Sequence, residues 1–551
     1  MNKIVILGSG LSGSTAALKL AMQGAAVTLV SPAYAERSQS VMAMGGINAA
    51  LNTKGEEDSV EQHFVDTMQG GSYLGDPEAV DNLVRMAPGI VRWLAEIGVN
   101  FTRDEAGRVD LRNFGGQKKK RTAYAGARTG KQIMAAVIAG CRKYEAAGTI
   151  QRLTGWRFHS LILEGAECAG AVIIEERTQA LRSITADAVI MAVGGPNGVF
   201  GHTTGSRLND GYAAGALLAQ GVEFANLEMV QYHPTTVLTA TKQMLITEAA
   251  RGVGGRLFVM KDGQPWYFME EWYPERGALM PRDVVSQSIY KVCNELKLGI
   301  GGGQTVYLDI SHLPKAVIDS QLDEVVTICR TYLNLNPYAE PIPVSPGIHY
   351  FMGGIKTDKH HRTNIGRLFA AGECSAQYHG ANRLGGNSLL GAVCGGMVAA
   401  QSAGAVTAVD GAAADEAGRK ALAAAADELE RWKGTKASPL SEYAEIRSEL
   451  STLMYGSMGI YRKERELLGA RRRLAELEQR AAEARHPYSY YEDRTLYANL
   501  LLAKAMVESA LERKESRGAH QRTDFSEKND RQFKKPTNAR VAGGSITVDF
   551  G

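Results

Sequence analysis

The chain has little with which to hold a metal, a disulfide network or a membrane by itself. Its 551 residues include six cysteines: Cys141, Cys168, Cys293, Cys329, Cys374 and Cys394. They are scattered without any C-x-x-C spacing, which speaks against a zinc site, an iron–sulfur cluster on this chain or a disulfide framework. No metal site is expected. No apolar run reaches the roughly 18 residues of a membrane span, and no signal peptide is expected because strand-like sequence begins at Lys3. A formal net charge of +3 gives no reason to expect nucleic acid. Lys118-Lys119-Lys120 reads as a solvated loop. No internal repeat is present.

What is there is ordinary soluble protein, 44% hydrophobic and 22% charged, long enough for roughly two to four domains. The run Lys3 to Leu7 reads as a buried strand and the stretch from Ser14 to Met22 as a helix. Between them lies Gly8-Ser9-Gly10-Leu11-Ser12-Gly13. In this Gly-x-Gly-x-x-Gly turn Gly8 permits the sharp bend, Gly10 the approach of a pyrophosphate, and Gly13 close packing of helix on strand. A second strand, Ala26 to Val30, completes a βαβ unit. It ends in Ser31-Pro32, where an acidic residue would ordinarily bind a ribose hydroxyl; Ser31 can still do so.

Arg37 to Asn48 is a polar stretch ending in Gly45-Gly46, suited to close approach of a flat ligand. Residues 57–100 read as two helices broken near Gly70-Gly71, the second capped by Asp76-Pro77. Lys131 to Tyr144 is helical, Trp156 to Ile174 a β-meander, and Ala188 to Gly195 a buried strand ending in glycines. From Val222 to Val344 the composition changes, and this reads as an insertion. Leu368 to Glu373 returns to the style of the first fold, so a site is expected at the seam. Beyond Ala405 four helical stretches (412–432, 440–454, 463–485 and 496–513) read as a bundle, followed by a basic, then β-like, end.

The insertion and its return carry His233, Thr247, Glu248, Arg251, Arg282, His349 and Arg383 beside glycines. Together they suit a small dianion. Arginine binds a carboxylate through its planar fork, and histidine or threonine adds oriented donors. His233, Thr247, His349 and Arg383 supply donors for two carboxylates, leaving Arg282 free beside Glu248 and Arg251.

With Gly45-Gly46-Ile47-Asn48, Arg121 to Gly126, His233-Pro234-Thr235, Thr247-Glu248, Pro281-Arg282-Asp283, His349-Tyr350, Met352-Gly353-Gly354, Ala371-Gly372-Glu373, Asn382 to Gly385 and Glu515 to His520, the chain resembles the flavoprotein subunit of succinate dehydrogenase and fumarate reductase. The form partnered with a diheme cytochrome b anchor is the nearest in pattern. The resemblance runs from Ile4 to about Arg522. It implies an α/β fold: a Rossmann-like FAD-binding domain (1–224 and 345–404), an inserted α+β capping domain (225–344), a C-terminal helical domain (405–525) and a tail (526–551). It also implies FAD with its pyrophosphate on Gly8, Gly10 and Gly13, and flavin or ribityl contacts from Ser38, Ser40, Gly45, Gly46, Asp210, Glu373, Ser388 and Leu389. His233, Thr247, His349 and Arg383 would bind the substrate carboxylates. Arg282 would be the proton donor, with Glu248 and Arg251 as its relay. Arg383 and His349 would twist one carboxylate out of the alkene plane and so polarise the double bond.

The resemblance breaks at Gln39, where membrane-bound members usually carry a histidine joined to the flavin. Glutamine is not a suitable nucleophile, so FAD is expected to be non-covalent, which tilts the expected direction toward fumarate reduction. Expected partners are fumarate or succinate, an iron–sulfur subunit and a cytochrome b membrane anchor. The expected place is the cytoplasmic side of the cell membrane, reached through those partners. Two other readings stay open: an FAD-dependent L-aspartate oxidase, and a non-catalytic flavin-binding assembly module.

Overall fold

The computed structural model describes residues 2–239 and 242–551. Five parallel strands form its first sheet, in the spatial order Leu368–Ala370, Ala188–Met191, Lys3–Leu7, Ala26–Ser31, Ile150–Thr154. The three strands at and beside the centre on the Leu368–Ala370 side are short and mostly apolar, as strands covered on both faces must be, whereas the edge strand Ile150–Thr154 is more polar and half-buried. Lys3–Leu7 lies at the centre, and the chain first adds strands on one side of it and later on the other. That reversal opens a crevice at the carboxyl end of the central strand.

Helices Leu11–Met22, Thr129–Ala146 and Asn387–Gly404 cover the sheet. Leu11–Met22 comes close because Gly8 (φ +112°) and Gly13 carry no side chain: a Cβ at Gly8 would overlap the Ala192 carbonyl, and one at Gly13 the carbonyl of Gly8 itself. Asp76 caps the helix Pro77–Glu96 through Glu78 N and Ala79 N at 2.9 and 3.0 Å, as its sequence foretells. The meander Trp156–Glu164, Glu167–Glu175, Leu181–Thr185 is antiparallel.

Within the insertion, six antiparallel strands form a second sheet packed around Phe268, Ile289, Val306, Leu308 and Ile342. Two of its strands, Val230–Leu238 and Ile342–Phe351, are long and pair His233 with Gly347. They run from the insertion back toward the first sheet, and so carry His233 and His349 to the seam.

The C-terminal helices depart from the expected bundle. Leu440–Ser457, Glu464–Glu483 and Tyr490–Glu512 share one core through Ile446, Leu450, Leu474, Leu477 and Met506. Gly411–Gly434 instead lies on the meander, burying Ala414 and Ala425 against Ile162, Ala169 and Val172. Its alanine stripe is smooth enough to sit on a sheet. Residues 526–551, expected as a tail, contain the hairpin Thr537–Ala542 and Ser545–Phe550, which joins a sheet beside Phe224–Ala225. The turn is Gly543-Gly544, both at positive φ, a hairpin signal.

Candidate active site

One cavity, with about 1850 Å³ of free space including its solvent-open mouth, reaches from the glycine turn to the seam with the insertion. Gly8, Gly10, Ser31, Ser38, Gln39, Ser40, Gly45, Gly46, Asp210, Glu373, Ser388 and Leu389 line it. So do His233, Thr247, Glu248, Arg282, His349 and Arg383. Gly13 and Arg251 do not. Gly13 is packed against Gly8, and Arg251 lies behind Glu248, its Nη1 donating to Ala278 O at 2.6 Å.

At the nucleotide end the helix Leu11–Met22 points its amino terminus into the cavity with no acidic residue in its first turn. Its free N–H groups and dipole therefore favour a phosphate. Ser40 Oγ accepts from Leu11 N at 3.2 Å, tying the segment after Gln39 to that terminus. Ser31 Oγ donates to Ala33 O at 2.8 Å, which leaves its lone pairs for a ribose hydroxyl. Asp210 also lines the cavity. Arg157 and Tyr491 hold its carboxylate at 2.8 and 2.9 Å, and Gly155 N bonds Ser31 O just before Arg157.

The opposite end is strongly cationic. Arg282 Nε and Nη2 both donate to Glu248 Oε2, at 2.8 and 2.6 Å, and Nη1 donates to Gln231 Oε1 at 3.1 Å. Arg282, expected beside Glu248, is held firmly by it. Glu248 also accepts from Gly115 N at 2.8 Å and stands 3.7 Å from Arg251. Burial pushes the Glu248 carboxyl up, but Arg282 and Arg251 reverse this and leave it below its ordinary value. The Arg383 guanidinium lies over the Tyr350 ring, 4.2 Å from its centroid. Burial, and then Arg282, bring Arg383 down to about 9, and burial brings Arg251 down to about 10. His233 and His349 meet edge to face at 5.1 Å. Burial first, and then the neighbouring arginines, hold both imidazoles well below their ordinary value, so both are neutral. Thr247 stands beside them, directly before Glu248 and the helical turn Ala249–Gly252.

Between the two ends Glu373 accepts from Phe351 N at 3.1 Å, and burial raises its carboxyl to about 7. Ser388 and Leu389 lie in the first turn of the helix Asn387–Gly404.

The lining fits FAD. Ser12 Oγ, Ser38 Oγ, Gln39 Oε1, His233 Nε2 and Arg383 Nε are buried without a protein hydrogen-bond partner, a costly state unless a ligand completes them. Sequence reasoning missed Gln231, whose Nε2 donates to Asn382 Oδ1 and to Arg383 O, both at 2.8 Å. It also missed Thr204, 2.7 Å from His349 Nδ1. Both act across sequence distances that no local pattern spans. Among the described residues, no helix is long and apolar enough to cross a membrane.

Comparison with known proteins agrees with this arrangement. The FAD binding domain family matches residues 3–389 and the fumarate reductase flavoprotein C-terminal family residues 447–550. The succinate dehydrogenase flavoprotein subunit of Bacillus subtilis is 40% identical over 554 residues, covering 98% of this chain and 94% of that protein. The fumarate reductase flavoprotein subunit of Escherichia coli is 34% identical over 573 residues, covering 99% and 93%. A solved quinol-fumarate reductase with menaquinol molecules superposes with a TM-score of 0.90 at 32% identity, covering 100% of this chain and 97% of the other. The chain therefore belongs to the succinate dehydrogenase and fumarate reductase flavoprotein family and is an FAD-dependent oxidoreductase.

Proposed function

We propose that this chain interconverts fumarate and succinate, with fumarate reduction favoured, on an FAD held without a covalent bond. The observation that carries this reading is the meeting, in one cavity, of the glycine turn with a cationic end formed by His233, Thr247, Arg282, His349 and Arg383. Bound FAD supplies the hydride, or accepts it in the reverse direction.

The chain's residues do the rest. His233 and Thr247 bind one carboxylate, and His349 and Arg383 bind and twist the other, so that a developing charge meets donors already in place. Arginine is a poor acid, with an ordinary pKa above about 12. Here Arg383 and Arg251 crowd Arg282 with like charge; once Arg282 has given a proton to the substrate carbon, Arg251 would pass one through the ionised Glu248 to restore the guanidinium, and solvent would restore Arg251. Arg251 keeps Glu248 ionised between turnovers.

At residue 39 the Gln39 amide Nε2 donates to Thr204 O at 3.4 Å. An amide offers no nucleophile to the flavin, so retention rests on the non-covalent lining. Electrons would pass to an iron–sulfur subunit and a cytochrome b anchor at the cytoplasmic face of the membrane.

Purified protein with reduced viologen and fumarate should turn over, whereas L-aspartate with oxygen should not. Activity only with L-aspartate would overturn the reading. After acid precipitation the yellow flavin should remain in the supernatant; a yellow pellet would overturn the non-covalent assignment.

A further inference from the structure

We propose that Thr204 is the positioning residue that fixes His349 as its Nε2–H tautomer, so that the ring presents a donor to the dicarboxylate. The inference rests on the dicarboxylate reading above.

Thr204 is 4% exposed, and its Oγ1 lies 2.7 Å from His349 Nδ1. A buried hydroxyl hydrogen must be given to an acceptor or bear its full desolvation cost. Among the described residues, His349 Nδ1 is the partner within reach of this hydroxyl. If Nδ1 carried the ring proton, the Thr204 oxygen would accept from it and the hydroxyl hydrogen would be stranded. With Thr204 donating, Nδ1 is the acceptor and the proton sits on Nε2.

The hydroxyl cannot easily turn elsewhere. Thr204 N donates to Ile348 O at 2.9 Å, and its carbonyl accepts from Gln39 Nε2 at 3.4 Å. Next to it Thr203 Oγ1 accepts from Gly205 N at 3.1 Å and donates to Asn197 Oδ1 at 2.8 Å. The segment is strapped to the strand that carries His349 and to residue 39.

The tautomer matters because the ring is neutral. An imidazolium would offer two donors whatever its neighbour, but a neutral ring offers one N–H and one lone pair. A lone pair at Nε2 would repel a carboxylate; an N–H there binds it. His233 has no such assignment: Thr235 N, a donor, and Thr235 O, an acceptor, both lie 3.2 Å from its Nδ1.

The test uses the FAD-loaded protein with reduced viologen and fumarate. Thr204→Val keeps the shape and removes the hydroxyl. It should raise KM for fumarate about tenfold through the lost oriented donor, with kcat within about threefold of wild type and an unchanged FAD content. Thr204→Ser should restore the wild-type KM. A valine variant with the wild-type KM, or a serine variant as poor as valine, overturns the inference. If the valine variant fails to hold FAD, Thr204→Ala is assayed in its place and judged by the same outcomes. A wild-type protein that neither reduces fumarate nor binds succinate would sink the dicarboxylate reading itself; saturable wild type with an unmoved valine variant sinks only the role of Thr204.

Discussion

Two buried arginine clusters lie in this molecule, and they are balanced very differently. In the C-terminal region Arg513 Nε meets Glu228 at 2.6 Å and Nη1 meets Glu515 at 2.9 Å. Arg517 meets Glu515 and Asp530, both at 2.6 Å, and Arg522 meets Asp524 at 2.8 Å. Arg462 Nη1 donates to Glu228 O at 2.8 Å. None of these guanidinium groups has an unpartnered buried nitrogen. At the cationic end of the cavity Glu248 pairs with Arg282 and with Arg251 behind it, and Arg383 makes no ion pair among the described residues. There Arg251 Nε and Nη2 and Arg383 Nε lack hydrogen-bond partners among the described residues. A completed cluster is structure, whereas a deficit of negative charge that persists despite its cost marks a place where an anion binds.

The sharpest way to break the contrast is at Arg282. Arg282→Lys keeps one positive charge but cannot bond Glu248 through two nitrogens and Gln231 through a third. It should lower kcat/KM for fumarate by more than about 10³-fold while FAD stays bound. Near-normal turnover would refute Arg282 as the proton donor.

The completed cluster predicts the opposite kind of loss. Arg513→Ala leaves Glu228 in the interior without its ion pair, while Glu515 keeps Arg517, and should cost about 3–5 kcal/mol of stability, read as a fall in Tm. Molecules that remain folded should keep the wild-type KM for fumarate. A raised KM with an unchanged Tm would exchange the roles of the two clusters.

In the deficient cluster, removing a cation should help the empty protein. Arg383→Met is expected to raise the stability of the ligand-free protein by about 1–2 kcal/mol while abolishing dicarboxylate binding. For wild type, succinate at about 100 times its Kd should add about 2.7 kcal/mol; the methionine variant should show no such rise. A variant less stable than wild type without ligand would mean that the arginines are already balanced.

The two clusters were not equally legible in the sequence. The glycine turn was, because Gly8, Gly10 and Gly13 act within one turn and their spacing is itself the physics. The cavity arginines and histidines were legible only as an ordered set of motifs, since nothing in the spacing of His233, Arg282, His349 and Arg383 says that they meet. Gln231 and Thr204 escaped because they act through partners 51 and 145 residues away. Glu515 to His520 was visible as a motif without a role: its Glu515 is matched by Arg513 and Arg517, and its Arg517 also by Asp530. The helix Gly411–Gly434 was misplaced because an alanine stripe reads alike whether it covers helices or a sheet. The hairpin at the end could be read as β-structure, but its partner strand Phe224–Ala225 is too short to show any period.

The smallest expected effect is at Glu373, which lacks the cation pair that Glu248 enjoys. Burial raises its carboxyl to about 7, and Arg383 opposes this only in part. The native state then holds a proton that the unfolded chain has already released near the ordinary glutamate value. The unfolded state binds fewer protons in this window, so stability falls as pH rises from there through about 7 and is flat above. Because the cavity mouth admits solvent, the expected loss is about 1–2 kcal/mol. In FAD-free protein the Tm at pH 5 minus that at pH 8 should therefore be larger for wild type than for Glu373→Gln, the buried neutral histidines contributing their opposite slope equally to both. Glu248→Gln should not shrink that difference, because the Glu248 carboxyl lies below its ordinary value and contributes stability that is lost only in acid. An equal response in both variants would mean that the two carboxyls share one electrostatic environment, against the division between a paired and an unpaired acid.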